Sequence, residues 1–372
     1  QPTAFHVSQL FFCIADLASI DPMYQYSLEW YIGLFDLAIE KAEKSENHDE
    51  RVQYLNTTFS YVLYVNVCRS LFAKDKLLFS FLMTTKIMLG QKTLKRENLQ
   101  YLLQGNIAMD LARPNPAKEG SWMSDKIWGE LLALNSLETF KGIDKDVEKD
   151  LKGWSTVFEQ VNASKALEEL TGDKYSTFQR LCILRAIRPD VCVPVIQSFI
   201  CEEVGEKFID PPPFDLKACY EDSSCSTPLV FVLTPGAAPM GELFKLADAV
   251  GFGDKLHSMS LGQGQGVHAE KAISEAQSMG KWVCLQNCHL CVSWMPTLER
   301  ICEELSPDRV HESFRLWLTS EPSQHFPAFV LQNGIKMTVE PPKGLRASLT
   351  GSWFKIEEAW FESCAMPAVF KK

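Results

Sequence analysis

The pattern of apolar residues changes at about residue 226, and this change constrains the fold more than any other feature of the sequence. Beyond it, short apolar, β-rich runs alternate with helical stretches. The runs are Leu229–Leu233, Leu256–Leu261, Trp282–Leu285, Phe314–Leu318 and Ile335–Val339. Strands spaced about 20–30 residues apart, with helical segments between most of them, are typical of a parallel sheet. The sequence therefore predicts an α/β domain over residues 226–345.

The residues before this change follow a helical pattern. Apolar side chains recur at helical spacing in stripes that begin at Val7, Leu28, Tyr61 and Leu77. We expect these stripes to pack together in a helical subdomain over residues 1–112. A linker rich in proline follows, from residue 113 to residue 120. A mainly helical lead-in is expected over residues 113–225.

The composition is that of a folded chain that can bury a core. Of 372 residues, 46% are apolar and 23% are charged, and the net charge is −10. An acidic surface repels polyanions, so nucleic acid is not expected as a main partner. The uncharged apolar stretch Leu55–Cys68 is shorter than the ~20 residues that span a bilayer, so no membrane is expected. Most of the 12 cysteines stand singly among apolar residues, as reduced core cysteines of intracellular proteins do.

A candidate phosphate-binding loop follows the first predicted strand. Gly236 and Gly241 have the G-x-x-x-x-G spacing of such a loop, and Thr234 lies at its start. A working loop continues with Lys for the phosphates and Ser or Thr for Mg²⁺, but here Glu242 and Leu243 follow. A carboxylate 4 Å from a phosphate charge is repelled by about 4 kcal/mol at an effective dielectric of 20. The loop is either a phosphate loop that has lost its chemistry or an ordinary strand–turn–helix connection.

The third predicted strand favours the first of these interpretations. In P-loop ATPases a central strand ends in acidic residues that hold Mg²⁺ and activate water. Here it ends in Gln286 and Asn287, whose amides cannot act as a general base or supply charge to a metal. Thr319, after the fourth predicted strand, occupies the place of a polar γ-phosphate sensor. The sequence thus predicts a degenerate site with no catalytic residue and no metal.

Two other motifs are weaker. The glycines Gly262, Gly264 and Gly266 resemble a dinucleotide fingerprint but lack its remaining positions, so a tight, close-packed turn is the simpler interpretation. The segment from Cys284 to Cys291 has cysteines at the spacing of an iron–sulfur site. Since Cys284 would lie within a buried strand, we expect packing cysteines there.

Several longer motifs resemble the sixth AAA+ module of dynein heavy chains. They are Thr227–Gly236, Ser260–Gly266, Leu285–Leu290, Phe314–Ser320 and Glu340–Arg346. The segments Ile20–Leu28 and Asn66–Phe72 resemble the helical part of the preceding module. The residues of these motifs are more similar to axonemal (ciliary) than to cytoplasmic dyneins. The resemblance covers about residues 1–350, and residues 346–372 would be the truncated start of a following helical lid. It departs at Ala238, where the family usually carries Asp.

The resemblance implies a fragment of a minus-end-directed, ATP-driven microtubule motor of cilia. Its fold would be a helical subdomain followed by a degenerate P-loop AAA+ parallel-sheet domain. The implied partners are the other AAA+ modules of the same heavy chain, with dynein intermediate and light chains and microtubules reached through the parent. ATP and Mg²⁺ would act elsewhere in the parent, in the cytoplasm, cytoskeleton and ciliary axoneme. The segment itself is expected to be structural and non-hydrolysing; the alternative is a nucleotide-binding, weakly hydrolysing ATPase module.

Overall fold

The computed structural model describes residues 2–105, 113–117, 121–262 and 264–341, with isolated positions at 344, 345, 348, 349, 352 and 363. The chain divides into two compact units. The helical unit comprises Gln1–Asp16, Leu34–Cys68 and Ala73–Pro212. The sheet unit comprises Leu17–Gly33, Arg69–Phe72 and Pro213–Lys372. Two short upstream segments therefore belong to the same unit as the sheet.

The first part of the chain is helical, as the apolar stripes predict. The helices are α1 (Pro2–Asp16), α2 (Leu28–Lys41), α3 (His48–Cys68), α4 (Ala73–Gln91), α5 (Arg96–Gln104), α6 (Asp125–Ser136), α7 (Ile143–Lys149), α8 (Leu151–Glu159), α9 (Ala163–Thr171), α10 (Thr177–Ile187) and α11 (Cys192–Val204). Large side chains with no exposed surface, such as Phe59, Phe79 and Trp128, form the interior of the helical unit. A reciprocal cap between Ser176 and Gln179 begins α10.

In its described residues, the sheet unit contains five parallel strands. They are β1 (Leu229–Leu233), β2 (Leu256–Ser260), β3 (Trp282–Gln286), β4 (Arg315–Ser320) and β5 (Ile335–Val339). The order across the sheet is β2-β3-β4-β1-β5. Its helices are α12 (Leu216–Glu221), α13 (Met240–Ala249), α14 (Gly266–Met279), α15 (Met295–Glu303) and α16 (Ala328–Asn333). This arrangement is consistent with a P-loop AAA+ domain and confirms the predicted α/β fold.

The boundaries of β4 differ from the prediction. The sequence predicts a strand over 314–318 with Thr319 and Ser320 after it, whereas β4 runs to Ser320. Thr319 pairs with Phe231 and Ser320 with Val232 in the ladder to β1, and both polar residues are buried. Their hydroxyl groups suggest a loop in the sequence, but tertiary burial makes them the end of a central strand.

The interior of the sheet unit explains why β1 is a continuous apolar run in the sequence. Every residue of β1 is buried, as expected for a strand covered on both faces. On one face, Phe231 stacks on Trp317 with ring centroids 5.8 Å apart, and Trp317 packs against Trp282 at 5.3 Å. This aromatic layer fixes β1, β3 and β4 relative to one another, so the loops at their carboxyl ends lie on a rigid base.

Some predictions fall outside the described residues. The lid expected over residues 346–372 lies outside them apart from isolated positions, as does Gly120 at the end of the predicted linker. Within the part of the chain that the structure describes, no helix is both long and apolar enough to cross a bilayer.

Candidate functional site

The residues predicted for the site lie at one edge of the sheet. Because all five strands are parallel, their carboxyl ends meet at that edge, where ligands of α/β proteins bind. Strand β4 separates β1 from β3. The loop that follows β1 is therefore two strands away from Gln286 and Asn287, with Thr319 of β4 between them.

In the connection from β1 to α13, the backbone requires a glycine at one of the two candidate loop positions. Gly236 has a left-handed backbone with φ of +86°, which a residue with a side chain rarely adopts. Gly241 lies in the first turn of α13, and a Cβ atom there would meet nothing within 4 Å. The backbone N–H of Thr234 donates to the carbonyl oxygen of Val339 at 3.2 Å. Thr234 is thus tied to the end of β5.

Five positions of this loop offer no backbone donor to an anion. Pro235 and Pro239 have no N–H group. The N–H of Ala237 donates to the carbonyl of Thr234 at 3.0 Å. The N–H groups of Glu242 and Leu243 both donate to the carbonyl of Pro239 at 3.1 Å. A phosphate cradle needs several N–H groups directed at the ligand, and these five positions supply none.

The two residues after Gly241 do not fit Mg²⁺-bound ATP. Leu243 has no exposed surface and packs in the apolar core with Phe231 and Trp317, where a metal-binding hydroxyl would be needed. Glu242 is exposed in the first turn of α13. A carboxylate there interacts favourably with the positive end of the helix dipole, which would otherwise attract phosphate.

The amide pair at the end of β3, Gln286 and Asn287, forms hydrogen bonds with the neighbouring strands. The side-chain Nε2 of Gln286 donates to the hydroxyl of Ser258 at 2.7 Å, and Nδ2 of Asn287 lies 3.3 Å from the hydroxyl of Ser260. The backbone N–H of Asn287 donates to Oγ1 of Thr319 at 3.0 Å. These hydrogen bonds join β2, β3 and β4, so the structure brings together the amide pair and the sensor-like threonine.

Ser258 and Ser260 are the partners that the sequence interpretation missed. They stand two residues apart on β2, so they share one face of that strand. In register, Ser258 lies opposite Cys284 and Ser260 opposite Gln286. Serines at alternate positions near the end of a predicted strand are a signal that could have marked Ser258 and Ser260 as polar partners. Only the strand order, however, shows that they face β3.

The glycine turn before α14 is a packing site. Gly264 has φ of +77°, and Gly266 begins the helix. A Cβ atom on Gly266 would lie 2.5 Å from Cδ1 of Trp294. The indole N–H of Trp294 donates to Glu270 of α14 at 3.1 Å. The close approach of Trp294 gives a physical reason for a glycine at position 266.

The cysteines near β3 are surrounded by apolar core. Cys284 and Cys288 are fully buried, and Sγ of Cys288 lies 3.4 Å from the carbonyl of Leu285. Burial raises the pKa of Cys284 to about 12 and also raises the pKa of Cys288. Metals bind the thiolate, which this burial disfavours. Within the described ranges, no three His, Cys, Asp or Glu side chains are placed to hold a metal ion.

The chain is similar to known proteins along its whole length. Residues 224–338 match the dynein heavy chain region D6 P-loop domain. Mouse dynein axonemal heavy chain 3 is 48% identical over 379 aligned residues, which cover 100% of this chain and 9% of that protein. Human dynein axonemal heavy chain 1 is 43% identical, again covering 100% of this chain and 9% of the relative. Rat dynein axonemal heavy chain 12 is 46% identical over 82% of this chain and 10% of its own length.

The chain thus spans about a tenth of the length of the curated relatives that it matches. The matched P-loop region coincides with the five-stranded sheet: it begins just before β1 and ends one residue before the end of β5. The chain belongs to the axonemal dynein heavy chain family.

Proposed function

We propose that this chain is a structural part of the motor ring of an axonemal dynein, and that its own P-loop-like site does not hydrolyse ATP. The observation that carries the proposal is the burial of Leu243. The position where a phosphate loop supplies a hydroxyl to Mg²⁺ is here an apolar side chain that helps to hold the sheet together.

The other half of the site supports the same conclusion. Gln286 and Asn287 carry no charge and cannot accept a proton from water at neutral pH. Their amide nitrogens interact with Ser258 and Ser260. Turning either amide toward a bound nucleotide would break a contact between β2 and β3. The residues at this edge therefore serve to tie strands together.

A rigid module without its own reaction would transmit conformational change between neighbours in the ring. The parent protein would be a minus-end-directed microtubule motor of cilia in which ATP and Mg²⁺ act at other modules. Its partners would be the other AAA+ modules of the same heavy chain, dynein intermediate and light chains, and microtubules. Its location would be the cytoplasm and cytoskeleton, in the axoneme of the cilium.

Isothermal titration of residues 1–372 with Mg²⁺-ATP tests the proposal. We expect no saturable heat up to millimolar nucleotide, both for the natural chain and for Glu242→Lys. The substitution removes the repelling charge and supplies an ammonium, so a loop that still cradles phosphate should gain affinity from it. A micromolar dissociation constant for the natural chain would overturn the proposal in favour of a weakly hydrolysing ATPase module.

A further inference from the structure

Strand β5 is the edge of the sheet, and its free side is covered by residues from far upstream. The backbone N–H of Thr338 donates to the carbonyl of Arg69 at 2.9 Å, and its hydroxyl donates to the carbonyl of Leu71 at 2.8 Å. These contacts continue the hydrogen bonding of the sheet onto Arg69–Phe72, within the same compact unit. An edge strand that would otherwise expose unpaired backbone groups is thereby protected.

A second upstream segment is held beside the first. The N–H of Ser27 donates to the carbonyl of Gln332 in α16 at 3.1 Å. The hydroxyl oxygen of Tyr24 accepts a hydrogen bond from the N–H of Phe72 at 3.0 Å. We refer to residues 24–27 and 69–72 together as the edge clasp. Helix α2 begins directly after the first part, at Leu28, and α3 ends directly before the second, at Cys68.

Lys336 lies beneath the edge clasp. Only 4% of its surface is exposed, and it shares a face of the sheet with buried apolar neighbours such as Val230. Its Nζ donates to the carbonyl of Gln25 at 2.6 Å and to the carbonyl of Leu331. It also lies 4.1 Å from the centroid of the Tyr26 ring. Carbonyl oxygens and a ring face replace only part of the hydration that an ammonium loses on burial.

The charged groups around Lys336 determine whether its ammonium is compensated. Among the described residues, no carboxylate forms an ion pair with it. From the clasp it is faced by Arg69, whose guanidinium pairs with Asp222 at 2.8 Å, and by Tyr26, whose hydroxyl contacts Ser70. The clasp contains one further titratable side chain, that of Tyr24. The sequences of β1 and α16, which flank Lys336 on the sheet side, contain no titratable side chain.

We propose that Lys336 is a proton-controlled latch of the edge clasp, whose neutral amine fits the docked state and whose protonation favours release of residues 24–27. The neutral amine can still donate to the carbonyls of Gln25 and Leu331. The charged form can regain its hydration only by leaving this site, and it leaves if the first part of the clasp moves away. The start of α2 would then lose its attachment to the sheet.

The direction of the pH effect follows from the shift in protonation. Burial, and to a smaller extent the charge of Arg69, lowers the pKa of Lys336 to about 7. In the released state the lysine is hydrated and has an ordinary pKa of about 10.4. Between these values the released state binds more protons, so docking strengthens as pH rises and weakens as pH falls. Because the released lysine is fully hydrated, we expect the equilibrium constant for docking of the clasp to increase about tenfold from pH 6 to pH 8.

Hydrogen exchange of residues 1–372 tests the latch. The readout is the protection factor of the Ser27 amide between pH 6 and pH 8, corrected for the intrinsic pH dependence of exchange. We expect protection to rise about tenfold in the natural chain. It should be independent of pH in Lys336→Met, which carries no charge, and low throughout in Lys336→Arg, which is always charged. Lys255→Met is the matched control, since Lys255 lies 5.3 Å from the Phe252 ring but is exposed, and it should keep the natural response.

The outcomes separate the latch from a general effect of pH. A response that persists unchanged in Lys336→Met, or protection that does not vary with pH in the natural chain, would contradict the proposal. Thr338→Val keeps Lys336 and removes the hydroxyl contact to Leu71. It should loosen residues 69–72 while the pH response of Ser27 remains. If Lys336→Met does not fold, a pH response absent from Lys336→Arg but present in Thr338→Val still supports the latch, and its presence in Lys336→Arg rejects it.

Discussion

The backbone N–H of Asn287 donates a hydrogen bond to Oγ1 of Thr319, 3.0 Å away. Asn287 holds this position in a left-handed conformation with φ of +57°, which asparagine tolerates better than most residues. Thr319 is buried at the end of the central strand β4. The residue at the sensor-like position thus stabilises the turn after β3, an architectural role that needs no nucleotide.

Removing that acceptor should cost stability. Thr319→Val keeps the volume of the side chain but leaves the partly buried N–H of Asn287 without this acceptor, so we expect a loss of about 1–3 kcal/mol in the free energy of unfolding. Urea denaturation followed by circular dichroism measures it. Thr319→Ser keeps the hydroxyl and should lose clearly less. Equal losses in the two variants would contradict this role for the hydroxyl.

Restoring a metal-binding hydroxyl at position 243 should damage the fold without creating a site. Leu243 is fully buried in the core of the sheet unit, so Leu243→Thr should lose about 2–4 kcal/mol of unfolding free energy. Leu243→Met, which conserves volume, should lose less than about 1.5 kcal/mol. Thermal unfolding of both variants with and without Mg²⁺-ATP provides the measurement. Stabilisation of Leu243→Thr by Mg²⁺-ATP would show that the loop still binds nucleotide.

The glycines of the two turns should respond differently to alanine. In Gly266→Ala, the new Cβ would lie 2.5 Å from the Trp294 ring, so overpacking should cost about 1–3 kcal/mol and change the tryptophan fluorescence. In Gly241→Ala, the new Cβ meets nothing, so a helical alanine there should be neutral or stabilising by up to about 1 kcal/mol. A large loss of stability at position 241 with none at position 266 would contradict the assignment of Gly241 to an open position and of Gly266 to a tightly packed turn.

The thiols near β3 should be unreactive in the native chain. Burial raises the pKa of Cys284 and Cys302 to about 12, so almost no thiolate is present at pH 8. Maleimide labelling followed by mass spectrometry should modify these cysteines only after unfolding in urea. Rapid labelling under native conditions, or visible absorbance near 400 nm after anaerobic purification, would instead indicate exposed thiols or an iron–sulfur centre.

The sequence predicts β1 because its residues are apolar throughout, and burial on both faces leaves such a continuous local pattern. The run at Leu229–Leu233 coincides with β1, and the run at Ile335–Val339 coincides with β5 although it includes Lys336 and Thr338. The sequence places Thr319 and Ser320 after the predicted strand, because nothing local indicates that β4 buries them against β1. The departures from a working phosphate loop, Glu242 and Leu243, are visible from residue types alone, whereas the serines that bind the amide pair depend on strand order.

The attachment of residues 17–33 and 69–72 to the sheet was not predictable from the sequence. Thr338 and Arg69 are joined across a long separation in the chain, and no periodicity links them. A buried lysine in β5 reads in the sequence as the exposed side of an edge strand, because its carbonyl partners come from elsewhere in the chain. Such contacts become visible only when distant segments are brought together.

Single-turnover hydrolysis tests most directly the claim that this module is catalytically silent. Trace radiolabelled ATP with Mg²⁺ is mixed with a large excess of residues 1–372, and phosphate release is followed over hours. The burial of Leu243 and the engagement of Gln286 with Ser258 predict a rate equal to that of buffer alone, in the natural chain and in Glu242→Lys. Hydrolysis that increases in proportion to chain concentration and rises further in Glu242→Lys would contradict the account.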